Sequence, residues 1–196
     1  TLSGAAPQLY SQAVTGSTTL AGALGVANNA QWTLDRDLTP ASTSIGACGT
    51  LQLGNGGTTG SVGAGAISNE GTLAINRSDA MLLASNISGT GALVQQGTGT
   101  TILTGSNSYN GPTTIAAGTL QVGNGGTTGN LGSGAVINNG SLALDRSDNI
   151  TLASNITGTG GLSQMGAGTS VLTGNNSYQG GTSINAGTLQ VDSDAR

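Results

Sequence analysis

A 69-residue repeat constrains this chain more than any other feature of its sequence. Gly49-Thr50-Leu51-Gln52-Leu53 recurs as Gly118-Thr119-Leu120-Gln121-Val122 and again as Gly187-Thr188-Leu189-Gln190-Val191. Residues 49–117 and 118–186 are identical at 44 of 69 positions with no insertion or deletion, so whatever one copy builds, the next builds again in the same register. A fixed period of this kind selects architectures in which each unit closes its core only by stacking on its neighbours.

The residues between these landmarks say what the unit is made of. Leu, Ile and Val alternate with polar residues over four to six positions and are then interrupted by Gly, Asn or Asp, the pattern of short half-buried strands joined by tight turns. In the second copy strands are expected near Leu120 to Val122, Ala135 to Ile137, Leu142 to Leu144, Ile150 to Leu152, Leu162 to Gln164, Ser170 to Leu172 and Thr182 to Ile184. Helix is disfavoured because Lys is absent and charged residues make up only 6% of the chain, leaving few of the straight-chain residues that favour helix. The expected fold is all-β, a right-handed parallel β-helix (β-solenoid) with about three coils per 69-residue repeat, divided at 118–140, 141–161 and 162–186. The right hand follows from the preferred crossover between parallel strands. About eight coils at the strand spacing make a rod about 40 Å long.

The expected organisation is one continuous domain. Residues 1–48 form degenerate N-terminal coils, 49–117 the first full copy, 118–186 the second, and 187–196 the start of another, so the chain reads as a piece cut from a longer rod. Trp32-Thr33-Leu34-Asp35-Arg36 matches Leu142-Ala143-Leu144-Asp145-Arg146, but Gly49 follows Arg36 far sooner than Gly118 follows Arg77. The worn copy is therefore shorter than the others, by a length close to one coil.

The same composition narrows function. A net charge of −4 with no basic run argues against nucleic acid and anionic membrane as partners. Histidine is absent, which removes the commonest general base and zinc ligand, so no catalytic, cofactor or metal residues are assigned. Cys48, the single cysteine, has no disulfide or Cys–His partner and is expected to be a small buried side chain. The acidic residues recur at repeat spacing instead of converging. Asp79 and Asp148 each follow an arginine, Arg77 or Arg146, by two positions, which reads as a turn hydrogen bond with a solvated ion pair. A calcium site is the sharper alternative, but no Gly-Gly-x-Gly-x-Asp array is present. Gly54 to Gly60 and Gly123 to Gly129 are expected to be turns and not phosphate loops, since no Lys-Ser or Lys-Thr follows either. Asn86 and Asn155 are expected to bond backbone near turns or to form ladders between coils. Tyr109 and Tyr178, each in Asn-Ser-Tyr, read as covers for the end of the core. If the surface makes a contact, these tyrosines with Asn107 and Asn176 are the residues expected to make it.

Residues 97–122 and 166–191 resemble the autotransporter-associated β-strand repeat of bacterial type V secreted passengers. The resemblance rests on Leu103, Thr104, Gly105, Asn107, Tyr109, Gly111, Thr113, Ile115, Gly118, Thr119, Leu120 and Val122. It is repeated in register by Leu172, Thr173, Gly174, Asn176, Tyr178, Gly180, Thr182, Ile184, Gly187, Thr188, Leu189 and Val191. The resemblance implies a right-handed β-helical passenger, exported through periplasm and outer membrane to the cell surface or medium, in a parent chain linked to an outer-membrane β-barrel. The role it implies is a structural or adhesive stalk without enzyme activity or small-molecule substrate, whose partner is a host-surface ligand. A self-associating rod that aggregates cells is the alternative. A carbohydrate-active β-helix is a further one, opposed by one tryptophan and three tyrosines in the whole chain, too few to line a sugar cleft.

Overall fold

The computed structural model describes residues 22–192. Among them the chain forms short strands and no helix: β1 (Leu24–Val26), β2 (Gln31–Leu34), β3 (Ser42–Ile45), β4 (Thr50–Leu53), β5 (Ala66–Asn69), β6 (Thr72–Ile75), β7 (Ala80–Leu83), β8 (Ile87–Ser88), β9 (Ala92–Gln95) and β10 (Thr100–Leu103). There follow β11 (Thr113–Ile115), β12 (Thr119–Val122), β13 (Val136–Asn138), β14 (Ser141–Leu144), β15 (Ile150–Leu152), β16 (Ile156–Thr157), β17 (Gly161–Gln164), β18 (Thr169–Leu172), β19 (Thr182–Ile184) and β20 (Thr188–Val191). The strands of the second copy agree with the expected spans to within a residue or two. The exception is the short β16, whose single buried position, Ile156, is too brief a signal for alternation to reveal.

All pairings between these strands are parallel and join one coil to the next, which makes the fold a β-solenoid of about eight turns. Its first face is the seven-stranded ladder β2-β4-β6-β9-β11-β13-β16, and its second is β7-β10-β12-β14-β17-β19. The third face carries β1-β3-β5-β8 and, further along, β15-β18-β20. The two parts of the third face are bridged where Ile87 hands its backbone bonds to Asn107 and Ser108, and Asn107 in turn bonds Asn130.

Alternation turns every second side chain inward, and in-register pairing stacks the inward residues in columns. On the first face Leu51, Leu73 and Leu93 stack in one column, with Leu53 and Ile75 in the next. On the second face Leu120, Leu142 and Leu162 stack beside Val122 and Leu144. These leucines are sealed from solvent, and each fully buried aliphatic side chain contributes about 1.5–3 kcal/mol. The backbone is satisfied at the same time, because alternate residues of a strand bond the coil before and the coil after, as Ala92 N donates to Gly71 O and Leu93 N to Pro112 O.

The length of a coil differs from the even division expected. Leu51, Leu73, Leu93 and Thr113 are partners in successive coils of the first face, so each of these coils closes in less than a third of the repeat. Three coils bring the chain only as far as Thr113, and the stretch from Thr113 to Leu120 then carries it from the first face to the second. Equivalent strands of successive copies consequently lie on successive faces: β4 on the first, β12 on the second and β20 on the third.

The worn copy follows the same rule. In a full copy the path from Leu73 to Leu120 passes Leu93 and Thr113 on the first face before ending on the second, which is two coils and one face. Trp32, the equivalent of Leu73, pairs directly with Leu51 on the first face, one coil away. The missing length is therefore one coil plus one face, more than the single coil expected.

Candidate functional site

The most built-up polar feature is an arginine clamp that occurs once per copy. The Gly-rich loop after β4 turns out into solvent from Asn55 to Thr59 and re-enters at Gly60, which is buried. Gly60 sits at φ +104°, and a Cβ there would collide with the Leu34 carbonyl, so only glycine closes the loop. Arg77, from the following coil, lies behind it. Its Nη1 donates to the Gly60 carbonyl at 3.3 Å and its Nη2 to the Thr58 carbonyl, while Nε and Nη2 grip both oxygens of Asp79 at 2.8 and 2.7 Å. Asp37 completes the set, accepting from Gly60 N at 3.0 Å and from Arg77 Nη1 at 3.4 Å. The second copy repeats the glycine carbonyl and carboxylate contacts of the arrangement. Arg146 donates to the Gly129 carbonyl and holds Asp148 through two bonds of 2.7 Å. The hydrogen bond from Arg77 holds the Asp79 carboxyl below its ordinary range, and Arg146 does the same to Asp148. The guanidinium of Arg77 is pushed up in turn, chiefly by the bond to Asp79. The arginines are not the solvated partners the turn reading anticipated, since the Arg77 side chain is only 9% exposed. They are struts that fix a loop of the coil before.

The residues expected to offer a surface contact are divided by the structure. In the first copy Tyr109 is fully buried and its hydroxyl bonds Thr113 Oγ1 at 2.8 Å. Burial raises the pKa of its phenol. Asn107 is buried too: its Oδ1 accepts from Ile87 N at 3.0 Å and its Nδ2 donates to the Asn130 carbonyl at 2.7 Å. Neither side chain of that pair reaches the surface, which corrects the contact expected of them. The tyrosine is packed between two coils in the middle of the rod and does not cover an end of the core, and the asparagine replaces strand pairing where the wall has none. In the second copy Asn176 and Tyr178 are half-buried, with Tyr178 bonded to Thr182 at 2.7 Å and Asn176 accepting from Ile156 N at 3.0 Å. The difference between the copies is positional, because the coil that covers Tyr109, carrying Gly132 against its ring, has no counterpart over Tyr178 among the described residues.

The asparagines near turns reach between coils as expected. Asn86 Oδ1 accepts from Ser106 N and Asn155 Oδ1 from Asn175 N, each bonding the next coil. Cys48 is exposed, not buried, because it occupies a left-handed corner at φ +57° whose side chain points away from the core. Asp194 and Arg196 lie outside the described residues, as do residues 1–21 of the N-terminal coils.

A set of amides inside the core was not anticipated. Gln95 is buried with Nε2 donating to the Gly97 and Gly99 carbonyls and Oε1 accepting from Thr101, and Gln164 repeats the first two bonds to Gly166 and Gly168. Asn69 and Asn138 are likewise sealed, donating to Ala92 and Gly161 carbonyls one coil on. The signal was present in the alternation: Gln95 follows Leu93, and Gln164 follows Leu162, at the spacing of an inward position. These amides cap carbonyls at corners where the strands stop.

A cavity of about 300 Å³ opens on the third face where its ladder is interrupted, between Asn107, Asn130 and Leu131 on one side and Ile150, Leu152 and Ser154 on the other. Charged residues lie outside the named strands. The outward column of the first face, Thr33, Gln52, Ala74, Val94, Thr114, Ile137 and Thr157, carries none.

Comparison with known proteins is consistent with this geometry. The family described as passenger-associated-transport-repeat matches residues 93–122 and 162–191, which run from β9 to β12 and from β17 to β20. A curated relative, the adhesin BmaC autotransporter of Brucella suis biovar 1 (strain 1330), is 47% identical over 62 residues, 31% of this chain. The chain spans about 2% of that relative's length. No solved structure matches it significantly. Two family matches, one repeat apart and each spanning four strands of one solenoid, make these stretches similar to the repeats of autotransporter passengers, a class displayed at or secreted from the bacterial surface through the outer membrane.

Proposed function

We propose that this segment is a stalk: it supports secretion and display of the parent passenger, whose adhesive contacts lie on the rod surface or elsewhere in the parent, and it performs no catalysis. The reading also places an outer-membrane β-barrel in the parent chain. The observation that carries it is the uninterrupted ladder of the first face, in which each coil completes the core of the next, while the charged groups recur as one arginine clamp per copy. Such a structure resists bending and extends by simple addition of coils. The name of the Brucella relative supports an adhesive parent, and stalk and adhesin are compatible parts of one passenger.

The test is deletion of residues 49–117 from the parent chain, which joins Cys48 to Gly118, the equivalent of Gly49. Surface display, read by protease accessibility on intact cells, is expected to persist along with adhesion. Loss of adhesion with unchanged display overturns the stalk reading and makes the segment itself the contact.

The uncharged outward column of the first face favours a second reading, lateral self-association of rods. It predicts a concentration-dependent increase in sedimentation coefficient, and a strictly monomeric species at high concentration refutes it.

A further inference from the structure

We infer that each 69-residue copy turns the surface it presents by one face, about a third of a revolution, so that the number of copies sets the azimuth of whatever the rod carries. Two independent observations support it. The first is the ladder assignment: the Gly-Thr-Leu-Gln strands β4, β12 and β20 fall on three different faces, and every other equivalent pair moves the same way, as β6 on the first face and β14 on the second do. The second is the position of the wall break. In the first copy Ser61 bridges to Asp37 and not to β7, which leaves β7 at the end of the second face. In the second copy the equivalent interruption, at Asn130 and Leu131, lies below β15 on the third face.

The physical cause is a mismatch of periods. A coil is shortest where it is plain, as from Thr100 to its partner Thr119, and longer where it carries the Gly-rich loop, as from Ser42 to its partner Ala66. Even with one longer coil per copy, three coils do not use up the repeat, which is therefore three coils and one face. Three successive copies, or ten coils, are needed to bring an equivalent residue back to its starting face. The exposed loops Asn55 to Thr59 and Asn124 to Thr128, identical in sequence, accordingly leave the rod at different corners, about 16 Å apart along the axis for three and a third coils. A partner that reads this loop from one direction meets one copy in three.

Spin-label pairs test the phase in the Cys48→Ser background. Val94 and Thr157 lie in one outward column three coils apart, whereas Val94 and Ser163 are equivalent residues of adjacent copies on different faces. Labels on V94C/T157C are expected at about 14 Å plus the length of the label arms, and labels on V94C/S163C farther apart by about 10 Å or more, because the second pair adds the width of the prism. A V94C/S163C distance equal to or shorter than that of V94C/T157C overturns the inference. The T114C/S183C pair repeats the same comparison one coil further on and serves if V94C/S163C disturbs folding. It must also give the long distance.

Discussion

The arginine clamp makes the most informative perturbation, because its parts differ sharply in burial. Substituting Arg77 with Ala removes two donors to loop carbonyls, a bidentate grip on Asp79 and the aliphatic stem that lies against Gly54. The Thr58 carbonyl belongs to an exposed residue and regains water. The Gly60 carbonyl belongs to a buried one, and leaving it without a donor costs about 1–3 kcal/mol. The Asp79 pair contributes at most about 1 kcal/mol, since its carboxylate is one-third exposed and screened. Together with the lost stem packing, R77A is expected to cost about 2–4 kcal/mol. D37A is expected to cost under about 0.5 kcal/mol through the long pair to Arg77, in which Asp37 is half exposed, plus a similar amount for its bond to Gly60 N. Equilibrium urea unfolding followed by far-ultraviolet circular dichroism measures both. R77K separates charge from shape: it keeps the cation but cannot hold two carbonyls and a carboxylate at once, so it should recover less than half of the loss. If R77A changes stability by less than about 0.5 kcal/mol, the loop is held by its own glycine turns and the strut argument fails.

Leu73→Ala, in the middle of a sealed column between Leu51 and Leu93, should cost about 2–5 kcal/mol in the same unfolding measurement. Gln95→Leu should destabilise by about 1–3 kcal/mol despite its greater hydrophobicity, because the Gly97 carbonyl loses its donor and the Thr101 hydroxyl its acceptor, while the Gly99 carbonyl keeps the bond from Thr119 N; a neutral or stabilising result would show that water reaches those groups. The carboxyl pKa values of Asp79 and Asp148 are depressed in the folded state, so their contribution is complete above the ordinary carboxylate range and is lost as pH falls through the lowered values. Denaturant midpoints should therefore hold from about pH 7 to about pH 5 and drop below about pH 4, and the drop should be smaller in the D79N/D148N variant. Cys48, exposed on its corner, should react with an aromatic disulfide reagent in the native protein at a rate close to that in denaturant.

The strands and the solenoid were legible in the sequence because their determinant is local. Leu120 and Val122, or Leu142 and Leu144, reveal an inward face through alternation alone, and the 69-residue register guarantees that each such face meets another. The candidate contact was less legible. Asn107 and Tyr109 have the composition of a surface patch, yet the coil that carries Asn130 and Gly132 covers them, and that coil lies a full turn away in sequence. Arg77 and Asp79 declared a pair by spacing, but not that the guanidinium would be buried against the loop that ends at Gly60. Cys48 was misread for the opposite reason: residue type favours burial, while a left-handed corner turns the side chain outward.

Repetition and alternation thus determined, from sequence alone, that the chain stacks parallel coils and satisfies each with the next. Only the tertiary structure decided how much chain closes a coil and therefore which face each residue occupies. Alternation reports inside from outside with a period of two, but it carries no information about the circumference. That length is set where strands of neighbouring coils find their register, as Leu93 does against Thr113, and the stretch from Thr113 to Leu120, left over when three coils have closed, is what turns the rod.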